Sequence, residues 1–220
     1  MIESYYGREA AYSYFDGCST GGGQGLKAAQ RFPDDFDGIL AGAPVSDPAN
    51  LLLYFWNINK AQEIMQFDNK RLTMLGKIIM KKYDEMDGLK DGVINNPASI
   101  DFKPERDLPR DNSGKKGFTD REISGLSRAY GGMQYQGREI APGLPLGAEL
   151  TGLSYKRHSF IPSSPASAWE GRVIPDKRGL VVSQLIMDSW FRYVLFDTDE
   201  PEFDWRALEL ETALPKLDVK

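Results

Sequence analysis

The residues with the clearest chemical potential are Gly17-Cys18-Ser19-Thr20-Gly21, which fit the G-x-S-x-G pattern of a nucleophile elbow. In such an elbow the serine sits on a sharp strand-to-helix turn. Small residues two positions to either side let strand and helix approach closely, and the hydroxyl is pushed out over the sheet. The following helix starts at the serine, so its free N–H groups and its dipole face the reacting carbonyl. The Thr20 N–H then becomes one donor to the oxyanion of an acyl-transfer intermediate. The five-residue pattern gains weight from its context, a β-rich run before it and a helical run after it. A glycine-rich turn that binds phosphate is the alternative, because Gly21 to Gly25 has the look of a dinucleotide loop. No P-loop Lys-Ser/Thr follows, and no acidic residue stands where a ribose ligand is wanted, so the hydrolase reading is preferred.

A second constellation is acidic. Asp84-Glu-Met-Asp87-Gly-Leu89-Lys-Asp91-Gly-Val93 offers carboxylates at intervals of three and four, separated by glycines. Oxygen ligands on a tightly turning loop suit calcium, a hard cation. The loop is not an EF-hand: a register starting at Asp87 puts Leu89 at the third place and Ala98 at the twelfth. A solvated acidic turn between helices stands as the alternative.

These residues need elements to position them. Residues 11–16 read as a short aromatic-rich strand, residues 24–31 as a helix ended by Pro33, and residues 36–44 as a second, largely buried strand. Strand, tight turn, helix, strand is a βαβ unit, which implies a parallel sheet covered by helices. After Pro48 the character changes. Residues 51–65 and 71–83 carry apolar residues at three- and four-residue spacing and read as amphipathic helices. Thr119-Asp-Arg-Glu122 is a capping box opening a helix to about Tyr130. Gly131 to Arg178 is rich in Gly, Pro and Ser and reads as long loops with short strands; Leu180 to Phe196 reads as a last apolar helix. A boundary near residue 47 separates a sheet fragment from a cap or lid.

Composition narrows the function classes. The chain has 220 residues, 41% of them hydrophobic, enough to bury a core in one domain, or in one domain plus a cap. Its net charge of −5 and the lack of a basic stripe with interleaved aromatics argue against nucleic acid as a partner. No apolar run reaches bilayer length, so no membrane partner is expected, and residues 1–8 carry neither the basic nor the apolar part of a secretory signal. One cysteine, Cys18, excludes an intrachain disulfide.

A more specific pattern surrounds the elbow. Tyr-Tyr-Gly-Arg at 5–8, Tyr14 through Gly22, Gln24-Gly-Leu26, Ala29 through Pro33, and Phe36-Asp-Gly38 through Ala41-Gly-Ala-Pro44 are similar to the tannase/feruloyl esterase family. That family includes feruloyl esterases, tannases and the mono(2-hydroxyethyl) terephthalate hydrolase. The similarity is dense over about forty residues and looser to near the C-terminus. It implies an α/β-hydrolase fold with a large lid, here a fragment with residues 1–47 as partial core and 48–220 as lid. It also implies cleavage of small aromatic-acid esters through an acyl-enzyme on Ser19, with the Thr20 N–H in the oxyanion hole. The acidic loop resembles the lid calcium site of these esterases. Carried over, the ligands are Asp84, Asp87 and Asp91 by side chain and Leu89 and Val93 by backbone oxygen, around a structural ion. Family members often bracket this loop with a disulfide; the matching places here are Tyr83 and Ile100, so calcium alone would tie it.

The same resemblance places the triad acid and base after the lid, beyond Lys220, and a second oxyanion donor before residue 1. The only histidine, His158, matches lid sequence rather than the family's base. Cys18 matches a cysteine whose family partner lies beside the catalytic histidine. Gly23 stands where many relatives carry Arg. Tyr155, Phe160 and Trp169 are candidate pocket residues, with ordinary lid packing as the alternative. Family members are usually secreted or periplasmic. Two further readings stay open: a non-catalytic fragment, and a calcium-stabilised module that binds phenolics or carbohydrate. A parallel sheet lacking both flanks exposes strand edges, which predicts aggregation.

Overall fold

The computed structural model describes residues 2–149, 182–196 and 198–216. The chain divides into two compact units, Met1–Leu51 and Leu52–Lys220.

The first unit opens with a one-turn helix, α1 (Ile2–Tyr6), and is built on β1 (Tyr14–Cys18), α2 (Thr20–Arg31) and β2 (Gly38–Gly42). The strands pair in parallel, Tyr14 opposite Gly38 through Cys18 opposite Gly42. Parallel pairing requires a crossover, and α2 supplies it while packing on both strands. The helix sits close because Gly25 has no side chain: a Cβ there would lie 3.2 Å from Ile39 and 3.3 Å from Phe15. Phe15 meets Phe36 edge-to-face at 5.5 Å, closing this side of the sheet. The other side is open. Tyr14 and Leu40 are 69% and 64% exposed. The apolar run over residues 36–44 predicts a largely buried strand, but within this unit helical cover exists on one face only. Apolar runs signal burial on both faces only where both are covered.

The second unit is mainly helical. Helix α3 (Pro48–Met65) crosses the division, and α4 (Asn69–Tyr83) follows. Asp68 caps α4 by accepting the Arg71 N–H at 2.8 Å. A short α5 (Pro104–Asp107) precedes α6 (Asp120–Gly131), which opens with the expected capping box, Thr119 and Glu122 each holding the other's backbone N–H. The apolar stripes of α3, α4 and α6 meet in one core that includes Ile58, Met65, Leu72, Leu75, Ile79 and Leu126. Strands β3 (Met133–Tyr135) and β4 (Arg138–Ala141) form a hairpin whose two-residue turn, Gln136-Gly137, has φ of 48° and 78°. Helix α7 (Val182–Tyr193) buries Met187 and Phe191, and α8 (Leu210–Ala213) comes last. The indole of Trp56 on α3 donates to the Trp205 carbonyl at 3.0 Å, tying the late segment to the first helix of the unit. Among the described residues no helix is long and apolar enough to cross a membrane.

Candidate active site and acidic loop

Ser19 lies at the junction of β1 and α2, with φ 61° and ψ −115°. This backbone region is sparsely populated by non-glycine residues and is held only where the surroundings over-determine it. The side chain is exposed and makes no capping bond to the helix, so the hydroxyl is not consumed by the N-terminus it begins. The first intrahelical bond runs from the Gly23 N–H to the Ser19 carbonyl at 3.1 Å. The amides of Thr20, Gly21 and Gly22 precede it and have no intrahelical acceptor. Thr20, the expected oxyanion donor, is the first residue of α2 and is exposed.

The glycines around the bend are there for closeness. A Cβ on Gly17 would come within 2.4 Å of the Gly21 carbonyl oxygen, and one on Gly22 within 2.3 Å of the Gly42 oxygen. Strand exit, helix entry and the neighbouring strand therefore touch backbone to backbone. The end of β2 adds two bonds not anticipated from sequence. The Ser19 N–H donates to the Gly42 carbonyl at 3.0 Å, and the Val45 N–H donates to the Ser19 carbonyl at 3.1 Å. Between them Ala43 takes φ 37°. The only sequence signal for this crook is the small-residue run Ala41-Gly-Ala-Pro44. Cys18 is exposed at the end of β1, on the open face of the sheet.

The acidic residues occupy one self-tied loop. Asp84 is buried, while Asp87, Leu89, Asp91 and Val93 are exposed. Asp84 Oδ1 accepts the Gly92 N–H at 2.9 Å and Asp91 Oδ1 the Val93 N–H at 3.0 Å. Asp87 accepts the Leu89 N–H at 3.0 Å on one oxygen and Asn95 backbone and side-chain N–H groups on the other. The Leu89 bond first, then those from Asn95, hold the Asp87 carboxyl below its usual value. Gly88 and Gly92 turn the chain at φ 92° and 81°. The all-oxygen donor set suits a hard cation. The carboxylates are arranged to serve loop amides, and among the described residues no three acidic, histidine or cysteine side chains gather as a metal-holding group. The loop's flanks are also anchored by apolar packing. Tyr83 is buried in the helical core and Ile100 packs against it, so apolar packing stands where the resemblance implies a disulfide.

His158, Tyr155, Phe160 and Trp169 lie outside the described residues.

Comparison with known proteins accounts for the pattern. A family model described as tannase and feruloyl esterase matches residues 1–213. A probable feruloyl esterase B-1 of Aspergillus flavus is 33% identical over 217 residues, 93% of this chain and 35% of that protein. A probable feruloyl esterase of Arthroderma benhamiae is 43% identical over 106 residues, 47% of this chain and 20% of that protein. Among solved structures, feruloyl esterase B from Aspergillus oryzae superposes with a TM-score of 0.72 at 25% identity, over 98% of this chain and 40% of that one. The chain thus spans roughly a third of the length of the curated relatives it matches across most of its residues. The mixed α/β fold, the strand–serine–helix junction and the match across residues 1–213 agree: the chain belongs to the tannase and feruloyl esterase family.

Proposed function

We propose that this chain is part of a carboxylic ester hydrolase acting on small esters of aromatic acids, with Ser19 as the nucleophile. Residues 1–47 would be part of an α/β-hydrolase core and residues 48–220 a lid. The observation that carries this reading is the bend at Ser19: φ 61°, an exposed side chain, and a helix N-terminus directly behind it. In the reaction the Ser19 hydroxyl attacks the ester carbonyl and its proton passes to a general base. The Thr20 N–H stabilises the resulting oxyanion. The base returns the proton to the departing alcohol, leaving an acyl-serine, and water then repeats the attack to free the acid. The base and its orienting carboxylate are assigned to polypeptide outside residues 1–220; the relatives' greater length supports this. By the family resemblance the loop from Asp84 to Val93 would take a structural calcium ion on the carboxylates of Asp84, Asp87 and Asp91 and the carbonyls of Leu89 and Val93; the carboxylates, which here accept loop N–H groups, would have to turn toward the ion.

The test is hydrolysis of p-nitrophenyl acetate and of methyl ferulate by the full-length protein that supplies the base, comparing it with its Ser19→Ala variant. Release of p-nitrophenol or ferulate that disappears in Ser19→Ala is the expected result. An identical slow release from both proteins removes Ser19 from the chemistry.

A further inference from the structure

We infer that the exit of β2, residues 42–45, is the positioning element for Ser19; this rests on Ser19 being the nucleophile. A bend at φ 61° is not a resting conformation for serine and needs restraint from outside the turn. The restraint is visible on both sides of the residue. Its N–H is held by the Gly42 carbonyl at 3.0 Å and its carbonyl by the Val45 N–H at 3.1 Å. The second bond is the informative one. The same carbonyl accepts the Gly23 N–H at 3.1 Å, so the oxygen that starts the helix ladder is also anchored to the neighbouring strand's exit. Rotation of the Ser19–Thr20 peptide plane would swing the Thr20 N–H away from a bound carbonyl, and the Val45 bond opposes that rotation.

The crook that delivers Val45 is itself built for this. Ala43 takes φ 37°, a strained value for alanine, and the backbone then turns back toward the elbow. The contact is tight on the helix side as well, where a Cβ on Gly23 would fall 2.5 Å from the Val45 carbonyl oxygen. Val45 acts through the Ser19 backbone and touches no reacting atom.

The experiment deletes one N–H. Val45→Pro removes the donor, as does replacing Val45 by its α-hydroxy acid, which keeps the side chain should the proline variant fail to fold. Val45→Ala keeps the donor. The structural readout is the intense intraresidue amide–α-proton NMR cross-peak that a positive φ gives at Ser19. The functional readout is the Ser19-dependent acylation rate of the full-length protein with p-nitrophenyl acetate, separated from ester half-saturation. Expected are loss of the cross-peak and an acylation rate lower by about tenfold or more in the donor-deleted forms, with half-saturation unmoved and the cross-peak kept in Val45→Ala. A cross-peak and rate retained without the N–H overturn the inference. If the full-length protein shows no Ser19-dependent acylation, the esterase reading falls, and the bracket stands or falls on the cross-peak alone.

Discussion

At the residue scale, two buried polar clusters set expectations that need no substrate. Arg71 on α4 reaches Glu122 with two nitrogens, at 2.7 and 2.6 Å, and donates to the carbonyls of Gly114 and Gly117 at 2.9 and 3.0 Å. Its guanidinium also stacks 4.7 Å from the Phe118 ring, so one side chain joins α4, the 111–118 loop and α6. Both partners are mostly buried, so removing one strands the other's charge. Arg71→Met is expected to cost about 2–3 kcal/mol in urea unfolding, and Arg71→Lys more than half of that because the fork is lost. A cost below about 0.5 kcal/mol would place the pair among inconsequential surface bridges. The second cluster is Glu149, buried, with the Tyr130 hydroxyl donating to one oxygen and the Gly147 N–H to the other at 3.0 Å. Burial raises its carboxyl above the ordinary value, outweighing these bonds. A raised folded-state value gives stability that is full below the unfolded value and lost as pH climbs through the folded one. Glu149→Gln, which stays neutral and can still bond both partners, should match the parent near pH 4 and exceed it at pH 8. Melting curves that stay parallel across that range would contradict the assignment.

At the element scale, the acidic loop offers a direct test of calcium. A ligand that binds only the folded form stabilises it by about 2.7 kcal/mol at a hundredfold excess over its dissociation constant. Millimolar calcium should therefore raise the melting temperature by several degrees over EGTA, and Asp84→Asn with Asp87→Asn and Asp91→Asn should abolish the rise. An unchanged melting temperature in the parent would leave the loop held by its own amides and by Tyr83 and Ile100. Much at this scale was legible in sequence. The stripes of α3, α4 and α6 and the Thr119–Glu122 capping box are local patterns, and local patterns are what periodicity reads. The elbow was legible because glycine spacing records a backbone approach that no other residue tolerates. The β2 exit was not: the bond from Val45 to Ser19 joins residues far apart in sequence, and neither residue type marks it. Nor was the open face of β2, since apolarity records what a strand is suited to meet and not whether it is met.

At the scale of the whole molecule, that open face governs solution behaviour. The first unit presents Tyr12, Tyr14 and Leu40 with 68%, 69% and 64% exposure, beside a two-stranded sheet. Parallel sheets occur almost only with both faces covered, because their strands are apolar on both. Leaving such a face in water forfeits roughly 25 cal/mol for every Å² of apolar surface left uncovered. Strand edges add unpaired N–H and C=O groups that template further pairing. The chain alone is therefore expected to self-associate as its concentration rises. Leu40→Lys places a charge in the centre of the face without touching the elbow contacts or the α2 side, where Phe15 and Ile39 pack. Light scattering coupled to size exclusion should show the parent's mass increasing with load and that of Leu40→Lys staying closer to 24.7 kDa. A parent that remains monomeric at every load would mean that the face finds cover within the chain, and the incomplete-sheet reading of the first unit would have to be given up.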